Sequence, residues 1–201
     1  TVSVFLVVLT VLLLSLKISD RPCPVIQGAS SLELTALARD HTDTEESVRS
    51  YFLSAPFQGT VRFAGYTMDE VRAEMEDLLS EHDRRSALAL LAALEASFRI
   101  DYLQRCYRKE KDPLSRSLRE IFALKKDRAS LEEDILGAWK DYSNAPSARA
   151  IVQELRGALK YRHWLAHGRY WVPKLGQRYD YQGIYDLAQA VFTDFSLIDT
   201  P

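Results

Sequence analysis

Between Ser147 and Leu159 the apolar residues Ala148, Ile151, Val152, Leu155, Ala158 and Leu159 recur at the i, i+3, i+4, i+7 spacing of an amphipathic helix. Continued at about 100° per residue, that stripe runs through Arg162, with Ala166 beside it, His163 at its edge and His167 just outside. Gly168 follows where a C′ glycine commonly ends a helix, so the pattern predicts a helix over Ser147 to His167. A guanidinium on a core-facing stripe does not lose its proton. It must be paired, hydrated in a cleft or used.

The rest of the chain reads mostly as helix. Residues Lys17 to Ser30, with Pro22, Pro24 and Gly28, form a linker, and a weak helix follows from Ser31 to Arg39. Asp40 to Glu46 is acidic and polar, a solvated loop or helix start, and Tyr51 to Tyr66, with Pro56, Gly59 and Gly65, is extended or irregular. Thr67 with Glu70 three residues later has the spacing of a capping box and opens a helix to about Glu81. A longer helix from Asp83 to Arg108 carries Ala87, Leu91, Leu94, Phe98 and Tyr102 on one stripe, and Pro113 ends that segment. Ser115 to Ala123 and Ser130 to Tyr142 are shorter helices, the second with Ser130 and Glu133 again at capping-box spacing. Arg169 to Gly183 reads as an extended or hairpin excursion before a last helix over Ile184 to Asp194. The fold class expected is an all-α bundle of four or five main helices with antiparallel neighbours.

Composition narrows the partners. The 201 residues suffice for one full domain, and 47% hydrophobic with 27% charged content is that of an ordinary globular protein. A net charge of −2 gives the whole chain no bias toward nucleic acid, so any such bias is local. It is found from Arg156 to Arg178, where Arg156, Lys160, Arg162, Arg169, Lys174 and Arg178 occur without a single Asp or Glu and are interleaved with Tyr161, Trp164, Tyr170 and Trp171. Cys23 and Cys106 have no CxxC or Cys/His spacing, which fits a reducing compartment, and Cys106 is expected to pack as a small apolar side chain.

Thr1 to Leu16 is the one membrane-like stretch, apolar except for Thr and Ser and followed by Lys17. It is short for a span, which needs roughly 17–25 residues, and lacks the basic start of a signal peptide. The chain opens without Met, as a fragment or a read-through of upstream sequence would. The expectation is that residues 1–30 stand apart from the chemistry, that 31–66 is an N-terminal extension and that 67–201 is the helical domain. No membrane partner is expected and the location expected is cytoplasmic, with an N-terminal anchor as the alternative.

Arg162, four intervening residues, His167 and then Gly168, at the end of a late helix, resemble the shared motif of the HEPN superfamily, with His163 in the polar slot that often follows the Arg. Leu94 to Tyr102 is similar to an early helix of HEPN bundles, and Tyr170-Trp171 before a final helix fits the RiboL-PSP-HEPN subgroup. The resemblance covers roughly Thr67 to the C-terminus. It implies a metal-independent endoribonuclease, a toxin of a toxin–antitoxin or phage-defence system, working without a cofactor on RNA as a homodimer, and it leaves room for an antitoxin partner. Arg162 and His167 would be catalytic: His167 as base toward the ribose 2′-OH or acid toward the leaving 5′-oxygen, Arg162 holding the scissile phosphate. The two lie about 140° apart around one helix, a separation that a two-fold axis resolves. His163, Glu95 and Arg99 would support the site, and Lys160, Trp164, Arg169, Tyr170 and Trp171 would bind RNA. The sequence departs from the family at the position two after the His, where a modifiable Tyr can stand and Arg169 does here.

Other readings of the same residues remain. Arg162 pairs with an acid from a neighbouring helix while His163 and His167 are solvated; Glu95 and Arg99, at i, i+4, form a helix-surface ion pair; Trp164 packs in a core or dimer. A non-catalytic HEPN module binding RNA, a nucleotide or a partner protein is the second alternative. Metal binding is the third, from His163 and His167 at i, i+4, with Trp164 where a zincin needs Glu and no third ligand nearby; the expected site holds no metal.

Overall fold

The computed structural model describes residues 34–53, 61–143, 145–169 and 171–198; the apolar N-terminal stretch, the linker, Cys23 and Tyr170 lie outside them. Six α-helices occur among these residues and no strand: α1 Leu34–Leu53, α2 Met68–Arg108, α3 Pro113–Lys125, α4 Leu136–Tyr142, α5 Ala148–Ala166 and α6 Tyr181–Asp194. The all-α class is as expected. None of these helices is long and apolar enough to cross a membrane.

The 41-residue α2 organises the others. Thr67 caps it with a complete capping box: Glu70 N–H donates to Thr67 Oγ1 (3.3 Å) and Thr67 N–H to Glu70 Oε2 (2.7 Å). The break expected after Glu81 is absent. No Gly or Pro stands between Met68 and Arg108, and the polar interval that looked like a connection is a helical bridge between two clusters. Phe52, Phe63, Val71 and Met75 pack at one end, and the main core begins at Ala87. At about 1.5 Å per residue the rod is about 60 Å long.

In α1, Asp40 to Glu46 is helical rather than a loop. The stripe that turns toward α2 and α6 is Leu34, Leu37, His41, Val48 and Phe52, so a histidine fills the place where an apolar residue was missing. The His41 ring stacks on Tyr181 (centroids 3.5 Å apart) and on His82 (4.7 Å), and His82 Nε2 lies 3.0 Å from the His41 carbonyl. Glu45 and Arg49 add an i, i+4 pair at 2.6 Å on the outer face.

Pro113 is the first residue of α3 rather than only the end of what precedes it, with Asp112 as N-cap accepting from Ser115 N–H (3.0 Å). Before α4, Leu131–Ile135 forms a π-turn. Ser130 Oγ accepts from Glu133 N–H as the spacing predicts, but the carboxylate returning to Ser130 N–H is that of Asp134 (2.8 Å). Lys125 holds the same carboxylate at 2.7 Å.

The main core centres on Phe98, Trp139 and Phe195, with Trp139 and Phe195 stacked at 4.7 Å and Phe98 edge-on to both. Cys106 is buried in this cluster, and burial pushes its thiol up to about 12. Beside it lies a buried ion pair: Arg105 Nε donates to Asp101 Oδ1 (2.8 Å), Arg105 also donates to Ser115 Oγ and the Ser196 carbonyl, and Ile198 N–H donates to Asp101. Those bonds fasten the segment after α6 to α2. The described residues between α5 and α6 form no strand, so of the extended or hairpin excursion expected there the hairpin is absent, and α6 starts at Tyr181, earlier than Ile184, because Asp180 caps it through Gly183 N–H (2.9 Å) and Asp83 accepts Tyr181 N–H (3.1 Å).

Candidate functional site

The buried stripe of α5, Ile151, Val152, Leu155, Ala158 and Leu159, packs against the core as its period requires. Arg162 is the next residue on that line and is half-buried, its side chain 29% exposed. Its Nη2 lies 3.0 Å from Glu95 Oε2 on α2, while Arg99 Nε donates to Glu95 Oε1 at 2.9 Å and Arg99 Nη1 reaches the Ala129 carbonyl at 3.4 Å. One carboxylate thus holds two guanidinium groups, and the cluster keeps a net positive charge. Arg162 Nε is buried and makes no hydrogen bond among the described residues. Glu95 and Arg99 are not merely a surface pair, because the second oxygen of Glu95 binds across to α5.

The last turn of α5 extends past the core. Leu165 is half-buried, but Ala166, expected beside Arg162 on the stripe, is exposed, as are His163 and His167. His167 N–H donates to the His163 carbonyl (3.1 Å), and the two rings lie 4.2 Å apart, with Trp171 6.1 Å from His163. Gly168 has φ +86°, a left-handed conformation that a side chain would strain, and Arg169 follows at φ 57°.

The expected RNA-binding residues divide. Lys160 is exposed. Trp164 is half-buried, stacks on Tyr161 at 5.8 Å and donates its indole N–H to the Trp171 carbonyl (2.7 Å), so it packs the loop onto α5. Arg169 forks onto Glu81 with contacts of 2.5 and 3.1 Å, and this pairing holds the Glu81 carboxyl below its usual range. Trp171 is half-buried, and Tyr170 lies outside the described residues. No cluster of three or more His, Cys, Asp or Glu side chains that could hold a metal ion occurs among the described residues.

Two features escaped the sequence reading. Glu81, His82 and Asp83 stood in an interval read as a helix break, yet they bind Arg169, the His41 carbonyl and Tyr181 N–H. The i, i+4 pair Asp101 and Arg105 was visible as charge next to the Phe98 and Tyr102 stripe, the same signal that singled out Arg162.

Fold and site together define an all-α protein that presents a carboxylate-held arginine and two solvent-facing imidazoles at the end of one helix. Compared with family models, curated proteins and solved structures, the chain gives no significant match to any of them.

Proposed function

We propose that the chain is a metal-independent endoribonuclease of HEPN type, acting as a homodimer in which Arg162 and His167 of two copies form one composite site. The observation that carries this reading is the meeting, at one end of α5, of a partly exposed Arg162 held by Glu95 with two exposed imidazoles. Arg162 faces α2 and His167 lies about 140° around the helix from it. One copy therefore does not aim both at one phosphate, and a two-fold axis brings a second His167 to the first Arg162.

In this mechanism His167 removes the proton from the ribose 2′-OH, and the 2′-oxygen bonds to phosphorus. The P–O5′ bond breaks as the leaving oxygen takes a proton from the other imidazole. The products are a 2′,3′-cyclic phosphate and a 5′-OH. Arg162 binds the non-bridging oxygens, where charge grows in the transition state. Glu95, shared with Arg99, positions that guanidinium. A role as toxin or defence nuclease, with an antitoxin as partner, rests on the family resemblance alone.

The test is cleavage of labelled single-stranded RNA in EDTA by wild type, His167→Ala and Arg162→Ala, with the new ends assayed for cyclic phosphate. Cutting by wild type alone is the expected result. Equal cutting by all three, or none by any of them across several RNA classes, overturns the proposal.

The Arg162–Glu95 pair also favours a second reading, a non-catalytic helical module. There the pair only joins α2 to α5, and RNA is bound without being cut or a protein partner takes its place.

A further inference from the structure

On α5 and its C-cap His167, the residues Arg149, Gln153, Arg156, Lys160, His163 and His167 fall within about 40° of one line along the helix. All but Arg156 are exposed. The only acid on the helix, Glu154, lies about 140° away. From Arg149 to His167 the line rises about 27 Å and ends at the imidazoles.

The protein's own bonds sort the cations. Arg156 is spent on the Glu132 carbonyl (2.8 Å), Arg162 on Glu95 and Arg169 on Glu81. Arg149 and Lys160 make no ion pair among the described residues, and both stand on this line. Its flank is closed by Tyr179, whose ring stacks on Tyr161 at 5.6 Å and sits so close over Gly157 that a Cβ there would run into the phenol oxygen. The helix has already placed its apolar face in the core, so this face offers a membrane nothing to insert.

We infer that the outward face of α5 is a track for a single strand of RNA, with phosphates at Arg149 and Lys160 and unpaired bases reaching the His163 and His167 rings. The inference deepens the ribonuclease reading and rests on it for the identity of the strand. The basic line meets the phosphate chain by charge complementarity. Exposed rings at one end suit bases that are not held in a duplex.

The experiment uses the full chain and a fluorescein-labelled RNA of about twelve nucleotides, 2′-O-methylated throughout so that it is not cut. Its affinity is measured by anisotropy between about 50 and about 200 mM salt. Arg149→Gln with Lys160→Gln is expected to weaken binding about tenfold at the lower salt and to reduce the slope of log affinity against log salt by about 1.4, near 0.7 per phosphate contact. Arg116→Gln, an exposed change on α3, is expected to bind as wild type does. Both changes are exposed, and circular dichroism confirms that each variant is folded before binding is compared.

Unchanged binding by the double variant, or no binding by wild type at the lower salt, overturns the track. Parallel cleavage of the unmethylated RNA separates the two ideas. Binding that depends on Arg149 and Lys160 without any cutting keeps the track and discards the nuclease, while cutting that ignores both residues does the reverse.

Discussion

Glu95 Oε2 on α2 and Arg162 Nη2 on α5 meet at 3.0 Å, and the same carboxylate holds Arg99 at 2.9 Å. Removing the acceptor charge releases two cations at once. Glu95→Gln is expected to destabilise the fold by only about 1 kcal/mol, because the groups are partly exposed. In the proposed ribonuclease it should lower RNA cleavage by up to about 10²-fold, since the guanidinium loses its aim. Arg162→Ala should remove about 10²–10³-fold. Denaturant melts beside cleavage rates check this, and a Glu95→Gln protein that cuts at the wild-type rate would assign the carboxylate to helix packing alone.

His41 sits between the rings of Tyr181 and His82, with its Nδ1 buried and without a hydrogen bond among the described residues. Burial lowers its pKa and His82 adds to the effect, against Asp83, Glu45 and Asp40, which raise it. A base whose folded pKa is depressed binds its proton more readily in the unfolded chain, so stability falls as pH drops below the ordinary imidazole value of about 6.5. Melting curves between about pH 5 and about pH 7.5 are expected to show that loss, and His41→Phe should flatten it. An equally steep profile in His41→Phe would place the titration elsewhere.

Arg105 is buried against Asp101, Ser115 and the Ser196 carbonyl. Asp101→Ala removes the buried carboxylate and leaves only the half-exposed Asp112, 3.7 Å from Arg105 Nη1, to offset that charge, and is expected to cost about 3 kcal/mol. Asp101→Leu with Arg105→Met should recover most of the loss, because two apolar groups need no partner. The double variant should also exchange the Ile198 amide faster than wild type, since its acceptor is gone. Chemical denaturation and hydrogen exchange measure the two effects separately.

Gly157 stands mid-helix, where alanine is ordinarily favoured by about 1 kcal/mol. Here its Cβ would push Tyr179 off the ring of Tyr161. Gly157→Ala is therefore expected to destabilise by about 1–3 kcal/mol. Adding Tyr179→Phe removes the atom in closest conflict and leaves a 3.4 Å contact with the ring carbon. The pair should return to wild-type stability or exceed it in thermal melts.

Local signals in the chain carried the helices. Apolar spacing marked α5 through Leu159, Thr67 and Glu70 formed the capping box that their separation announced, and Gly168 took the left-handed turn after the last helical residue. The same spacing showed that Arg162 stood where a charge needs a partner. These properties depend on neighbours within one or two turns, which a sequence displays directly.

The partners themselves were decided by tertiary structure. Glu95 rather than another acid meets Arg162 because α2 and α5 pack at that height. Arg169, which looked like an RNA ligand, is bound to Glu81, 88 residues away in the chain. The interval Glu81 to Asp83 read as a helix break because its polar side chains had no visible purpose, and only the packing of α1, α6 and the Arg169 loop against α2 supplies one. Hydrophobic periodicity thus determined which segments become helices and which side chains cannot be left alone. The three-dimensional fold chose who satisfies them, because charge and hydrogen bonding act between groups that the chain order does not bring together.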